Sequence, residues 1–348
     1  MPMDDEANRQ PPQAVAAWLA VVYRGSQAVI SATKLGVPDA LGKGARTSAE
    51  VAQATRTNPG MMHRLLRALA AFEVVRDLGD GRFALTAVGD CLRADAPQSV
   101  RPLALMYGSD TSWQACGQLA ECIRTGQNAY RLLHGVDNLF PYLDRNPEQA
   151  RIFDAGQSAG AAMVGAVAAR ACDFAGIGRV VDVGGGNGTV LASILKAHPN
   201  LWGTLFDLPR VAQAAAANLV DHGLADRSEA VGGDMFQAVP AGGDLYLLSH
   251  VIHDWGDADA TRILQSCRRA MRPEARLVVL DRVMPERIEP GPEVQGKVLL
   301  DLTMMIAHGD ARERTAREFE TLLGAAGLRL LHILPTQAPV SVIEAAPA

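Results

Sequence analysis

The sequence predicts an α/β fold. A mostly parallel, Rossmann-like sheet with an antiparallel edge strand follows a smaller, mainly helical domain that contains a winged helix. Three observations predict this. From Arg179 onward, apolar β-branched runs alternate with helical stretches. The first run, Val180-Val-Asp-Val183, stops at four glycines: Gly184, Gly185, Gly186 and Gly188. Well before it, two short helical patterns lead into a hairpin turn at Gly79-Asp80-Gly81.

Length and composition set the frame. A chain of 348 residues with 48% hydrophobic and 20% charged residues can bury a large core and predicts two or three domains. The pattern divides it into residues 1–100, a helical linker and substrate-pocket region at 101–178, and a sheet domain at 179–348. A net charge of −5 argues against nucleic acid or an acidic membrane surface as partner. The five cysteines (91, 116, 122, 172, 267) form no C-x-x-C pair and no zinc spacing, which predicts a reduced, cytoplasmic protein without a metal site. The acidic start Met1-Pro-Met-Asp-Asp-Glu6 predicts no signal peptide. No uninterrupted apolar run nears about 18 residues, so no transmembrane helix is expected.

In chain order, residues 1–13 read as a loose tail, and Ala14–Leu35 as a helix ended by Gly36 and Pro38. Thr47-Ser-Ala-Glu50 is a capping box opening a helix to about Thr55. Asn58-Pro59 opens a second helix, with Met62, Leu65, Leu66, Leu69 and Phe72 on its apolar side. Strands at 74–78 and 82–85 complete the winged helix. Between Gly44 and Asp95 seven arginines face six acids, too even a balance for a phosphate binder, so packing or dimerisation is preferred to DNA binding. Residues 97–177 read as helical. Trp113, Phe140, Tyr142, Phe153 and Met163 are each more readily core, but as a group they can wall an apolar pocket. Strands are expected at 179–184, 202–207, 228–232, 244–250 and 276–282, then an adjacent pair at 327–335 and 340–345.

Strand, glycine turn, helix is the opening of a nucleotide-binding unit. The spacing Gly184-x-Gly186-x-Gly188 departs from the dinucleotide pattern, because Thr189 stands where its third glycine would be needed. Asp207 ends the second strand and can accept from both hydroxyls of a ribose. Asp234 ends the third and can accept from an exocyclic amine, with Met235 or Phe236 packed on a flat base. His253 lies just past the fourth strand, where a neutral imidazole can take a proton near pH 7. Asp281 or Glu313 can hold its other ring nitrogen. Asp254 reads as a turn or cap residue, or as a contact on the cationic side of a bound ligand.

With these residues in place, the chain resembles the metal-independent S-adenosylmethionine-dependent O-methyltransferases of the caffeate and hydroxyindole type. Bacterial members that decorate aromatic natural products are the nearest likeness. The matching stretches are Asp182-Val-Gly-Gly-Gly-Asn-Gly188, Leu205-Phe-Asp-Leu-Pro209, Gly233-Asp-Met-Phe236, His250-Val-Ile-His-Asp-Trp255 and Glu313-Arg-Thr-Ala-Arg-Glu-Phe319. The resemblance implies a class I methyltransferase sheet and an N-terminal winged-helix domain that forms a homodimer. It implies a cofactor site of Gly184, Gly186, Gly188, Asp207, Leu208, Asp234, Met235, Phe236, Ser249 and His250. Position 249 often carries Lys or Arg in the family, and Ser249 departs from that. It further implies His253 as general base with Glu313 and Asp281 flanking it, and Met304, Met305 and His308 beside the acceptor. Trp113, Phe153, Met163 and Asp254 complete the expected acceptor contacts. The expected reaction is transfer of a methyl group from S-adenosylmethionine to a phenolic hydroxyl of a small aromatic compound, leaving S-adenosylhomocysteine. The alternatives are N-methylation, a diverged chemistry (hydroxylation, decarboxylation or cyclisation) on the same cofactor, and a DNA-binding regulator.

Overall fold

The computed structural model describes residues 11–348, which form two compact units, one ending at Asp110 and the other Thr111–Ala348. Most of the expected tail, residues 1–10, lies outside the described residues, and Pro12 already opens a helix.

The first unit holds helices α1 (Pro12–Val21), α2 (Tyr23–Lys34), α3 (Val37–Leu41), α4 (Ser48–Thr55), α5 (Pro59–Ala71), α6 (Ala87–Asp90) and α7 (Arg101–Tyr107). Its strands are β1 (Arg46–Thr47), β2 (Val75–Asp77) and β3 (Arg82–Leu85), paired in the order β1-β3-β2. Local signals place the helices. The Thr47 hydroxyl accepts from the Glu50 amide while the Glu50 carboxylate accepts from the Thr47 amide, a complete capping box. Asn58 Oδ1 accepts from the Met61 amide and Pro59 fixes the first helical φ of α5. Two details differ from the sequence reading. The single helix expected over 14–35 is two, meeting at Val22. Pro38 stands in the first turn of α3, where its missing N–H costs nothing, so it begins a helix and ends none. The run Pro12–Lys34 is long and apolar enough to cross a membrane by length and composition alone, with Arg24, Ser26, Gln27 and Ser31 interrupting it as the sequence shows. Trp18, Leu19, Val15 and Val21 on α1 are exposed.

The second unit holds α8 (Asp110–Cys116, from its second residue), α9 (Leu119–Thr125), α10 (Ala129–His134), α11 (Leu139–Arg145), α12 (Pro147–Ala171), α13 (Thr189–Ala197), α14 (Pro209–Asp221), α15 (Asp257–Ala270), α16 (Pro292–His308) and α17 (Ala316–Ala325). Its strands are β4 (Arg179–Val183), β5 (Trp202–Asp207), β6 (Ser228–Gly232), β7 (Leu245–Ser249), β8 (Arg276–Asp281), β9 (Val283–Met284), β10 (Arg314–Thr315), β11 (Leu328–Pro335) and β12 (Ser341–Pro347). Seven of them form one sheet in the order β11-β12-β8-β7-β4-β5-β6, and β9 and β10 make a separate parallel pair.

Side-chain alternation explains the layers. Val181, Val183, Tyr246, Leu248, Leu277 and Val279 face α15 and α17. Val180, Leu245, Leu247, Val278 and Leu280 face α12, α13 and α14. Both faces are covered, as a parallel sheet requires. The antiparallel strand is β12, inserted between β8 and the edge strand β11. Val342, Ile343, Glu344 and Ala345 of β12 are buried on both faces, whereas β11 is largely exposed, as an edge strand is. The parallel strands β4 to β8 end at one edge of the sheet, which puts Gly184, Asp207, Gly233, His250 and Asp281 on a common crevice.

Candidate active site

The glycine turn is built as its spacing demands. Gly184, Gly186 and Gly188 have φ of +70°, +56° and +80°, a region that costs L-residues with a Cβ about 1–2 kcal/mol. At Gly184 a Cβ would also meet Val251 at 2.7 Å. At Gly186 it would meet no heavy atom within 4 Å, so the turn is open there to a ligand. Asn187 secures the turn from both sides. Its amide donates to Ser158 Oγ of α12 at 2.5 Å, and its carbonyl accepts from Asn218 of α14 at 2.7 Å.

Asp207 reaches into this turn. Its Oδ2 accepts from the Gly186 amide at 2.9 Å and its Oδ1 from the Leu208 amide at 2.7 Å, and each oxygen keeps a second lone pair. Burial raises its pKa, partly offset by those two bonds. Leu208, 56% exposed, follows it at the crevice. Asp234 Oδ1 accepts from the Phe236 amide at 2.9 Å, and Oδ2 from Gln237 at 3.1 Å. Met235 and Phe236 are half-buried. The Phe236 ring stands edge-on to Trp255 at 4.7 Å and carries the Arg262 guanidinium at 4.9 Å, so much of it is already engaged. Ser249 ends β7 with its hydroxyl 3.5 Å from His250 Nδ1. His250 itself has φ +54°, and its backbone N–H donates to the Leu280 carbonyl at 3.1 Å.

The expected base sits in a dense carboxylate cluster. His253 is 5% exposed in a single turn of 3₁₀ helix, Ile252–Asp254. Its Nδ1 is 2.9 Å from Glu313 Oε1 and 3.7 Å from Asp281 Oδ1, and its Nε2 is 3.6 Å from Asp254 Oδ1. The β9–β10 ladder pairs Val283 with Arg314 and so brings the segments carrying Asp281 and Glu313 side by side. Burial alone would discharge the imidazole. Asp281, Asp254 and the bond to Glu313 outweigh it and raise its pKa to about 10. Burial pushes Asp281 up to about 7 against the pull of His253. The cluster titrates as a unit, because a proton on Asp281 removes one of the charges that hold His253 positive. Among the described residues, Asp281 and Glu313 Oε2 have no hydrogen-bond partner and act on the imidazole through charge alone.

The residues expected beside an acceptor come together in part. His308, at the end of α16, has Nε2 3.8 Å from the same Asp254 oxygen, so one carboxylate stands between two imidazoles. Burial lowers the pKa of His308. Met304 is buried and Met305 half-buried on the preceding turn. Phe153 is half-buried and Met163 is 39% exposed on α12, and Trp113 is 45% exposed on α8.

Sequence reasoning gave no site role to Asp182 and Arg314, and named Phe140 only within a group able to wall a pocket. Phe140 of α11 lies 4.8 Å from the His308 ring, which its aromatic character alone could not single out. Asp182 is fully buried within β4 with both oxygens unpartnered among the described residues, and burial with help from Asp207 raises its pKa to about 7. A carboxylate inside an apolar strand was the available signal. Arg314, beside Glu313, is 1% exposed, and an arginine beside an acid reads in sequence as surface.

Residues 116–329 match the family model described as the O-methyltransferase domain. The chain belongs to that family. Residues 19–95 match the O-methyltransferase dimerisation domain, which begins inside the apolar run of α1 and α2. The methyltransferase is 38% identical to phenazine O-methyltransferase PhzM of Lysobacter antibioticus over 93% of each chain. It is 37% identical to 8-amino-8-demethylriboflavin N,N-dimethyltransferase of Streptomyces davaonensis, over 89% of this chain and 88% of that one. The crystal structure of CalO1, a methyltransferase in calicheamicin biosynthesis in its SAH-bound form, superposes with a TM-score of 0.86. It shares 36% identity, over 99% of this chain and all of that one. The enzyme's methyl donor is S-adenosylmethionine, and the open glycine turn with Asp207 and Asp234 beside it fits an adenosyl group.

Proposed function

We propose that this methyltransferase methylates a phenolic hydroxyl of a small, flat aromatic compound, with His253 as general base. The observation that carries this is the buried His253–Glu313 pair: it leaves Nε2 facing an acceptor, and because the carboxylates keep the ring charged near pH 7, against the neutral imidazole expected from the sequence, Nε2 acts as a base once it has released its own proton. Bound in the crevice, S-adenosylmethionine would supply an electrophilic methyl group, its sulfur keeping the bonding pair as S-adenosylhomocysteine leaves; His253 Nε2 would take the proton that the acceptor hydroxyl gives up. Glu313 holds the Nδ1 proton and fixes the tautomer. Asp281 and Asp254 stabilise the imidazolium that results. Gly184, Gly186, Gly188, Asp207, Leu208, Asp234, Met235, Ser249 and His250 line the donor side, with Phe236 as a packing neighbour. Asp254, Met304, Met305, His308 and Phe140 line the acceptor side, with Trp113, Phe153 and Met163 as further walls.

An aromatic acceptor is supported by the apolar and aromatic lining and by the phenazine-directed relative. A second reading, N-methylation, is favoured by the riboflavin-directed relative. It gains less from a base with three carboxylates around it. Incubation with labelled donor and a panel of phenols and aryl amines, followed by mass spectrometry, decides between them. Transfer to amines and to no phenol refutes the hydroxyl assignment. We further infer a homodimer through the N-terminal domain, supported by the dimerisation match and by exposed Trp18 and Leu19. A cytoplasmic setting is supported by five free thiols.

A further inference from the structure

Arg314 has the largest fully buried side chain among the described residues. Its guanidinium has a definite set of partners. Nη1 donates to the Ile252 carbonyl at 2.9 Å and Nη2 to the Trp255 carbonyl at 2.8 Å. Nε and Nη2 also donate to Asp257 Oδ1 at 3.1 and 2.9 Å. Asp257 opens α15, and its other oxygen accepts from Arg312 at 2.8 Å. The two carbonyls bracket His253-Asp254 in the chain. The turn that carries His253 has weak bonds of its own: Asp254 N–H to Val251 O at 3.2 Å and Trp255 N–H to Ile252 O at 3.4 Å. A single 3₁₀ turn with such long bonds does not fix its own orientation. Side chains of adjacent residues in extended chain leave in opposite directions. Glu313 therefore reaches the imidazole while Arg314 reaches the backbone on either side of it.

An apolar side chain would fill this space without the cost of burying a cation, and a buried ion pair adds little to stability against such a replacement. A planar fork of five donors is what two carbonyls and a carboxylate in one place call for. We propose that Arg314 is a positioning residue for the general base: it clamps the Ile252 and Trp255 carbonyls so that His253 Nδ1 stays on Glu313 and Nε2 faces the acceptor. The inference rests on His253 being the base. The charged and titratable groups facing that imidazole are Asp254, Asp281, Glu313, His250 and His308.

The test uses the full chain with Arg314→Lys and Arg314→Gln. Turnover, acceptor KM, donor affinity, pH–rate profile and thermal unfolding are measured for each. Lysine can serve one carbonyl and glutamine cannot replace the fork. The expected result is a fall in kcat of about tenfold for Lys and about 100-fold for Gln, the scale of a misplaced catalytic group. Donor affinity stays within about twofold, and the pH–rate limb moves to lower pH as the pairing with Glu313 loosens. In a His253→Gln background, Arg314→Lys produces no further loss. Folded variants with unchanged kcat and pH profile overturn the inference. If Arg314→Gln does not fold, Asp257→Asn at the more exposed carboxylate decides: a limb displaced the same way supports the clamp, and an unmoved limb overturns it. Full activity in His253→Gln defeats the base assignment, and the clamp with it. An inactive His253→Gln beside fully active Arg314 variants defeats the clamp alone.

Discussion

Replacing Glu313 by Gln keeps the shape of the side chain and removes one of the three carboxylates around His253. The carboxylate oxygen is 2.9 Å from Nδ1, with both side chains buried. An opposite charge at such range shifts a pKa by about 1–3 units, or about 1.4–4 kcal/mol. The His253 imidazolium, held at about 10 in the native protein, should therefore titrate that much lower in the variant. The consequence for chemistry follows from the acceptor. A phenol of pKa about 10 gives its proton to a base of similar pKa almost without cost, whereas an unperturbed imidazole of about 6.5 makes that transfer roughly 5 kcal/mol uphill. The plateau rate should fall about 10–1000-fold, while the rising limb of the pH–rate profile moves toward acid. Stability gives an independent sign. A histidine whose folded pKa is raised contributes fully below about pH 6.5 and loses that contribution as pH rises through about 10. The variant is therefore most destabilised at acid and neutral pH, and this part of the deficit vanishes above about pH 10. The assay is an NMR titration of ring-labelled histidine, assigned with His253→Gln, together with single-turnover methyl transfer followed from about pH 6 to at least about one unit above the native pKa. A native His253 titrating near 6.5, or one that Glu313→Gln leaves unmoved, refutes the reasoning.

Three further outcomes are expected. Asp207→Ala takes away the acceptor of the Gly186 amide and should weaken donor binding at least tenfold by calorimetry, and unchanged affinity would reject its cofactor role. Asp182→Asn should flatten the pH dependence of stability. The native carboxyl, raised from 3.8 to about 7, costs up to about 4 kcal/mol of stability as pH climbs through that window, because the unfolded chain has already released the proton. Thermal melts at pH 5 and 8 measure it, and an undiminished difference between them counts against the assignment. Phe140→Ala should raise acceptor KM several-fold and leave donor affinity alone, since the ring touches His308 and not the glycine turn, and steady-state kinetics separate the two.

These tests divide along what the sequence could carry. The strands, the capping box at Thr47 and the glycine turn are local matters of spacing and backbone conformation, and Gly184, Gly186 and Gly188 have the left-handed φ that their pattern requires. The convergence of Asp207, His253 and Asp281 was also legible, because parallel strands end on one side and each residue lies at a strand's end. Burial was not legible. Glu313 could be paired with His253 on paper, but nothing in Glu313-Arg314-Thr315 says that the arginine points inward to two carbonyls sixty residues away. Nor does Val180-Val-Asp-Val183 tell that Asp182 has no hydrogen-bond partner among the described residues. Both depend on which side chains the rest of the chain packs around them. The same distinction applies to the order of β12 and β11, where a hairpin predicts adjacency but not which strand goes inside. Charge placed where water is excluded is thus the property that makes His253 more than a surface histidine, and it arises from tertiary packing. The carboxylates that raise its pKa are costly in isolation, and each is kept charged or neutral by the others. A substitution at any one of them should therefore alter the titration of the rest, and the effects of Glu313→Gln and Asp281→Asn on the His253 titration should fail to add.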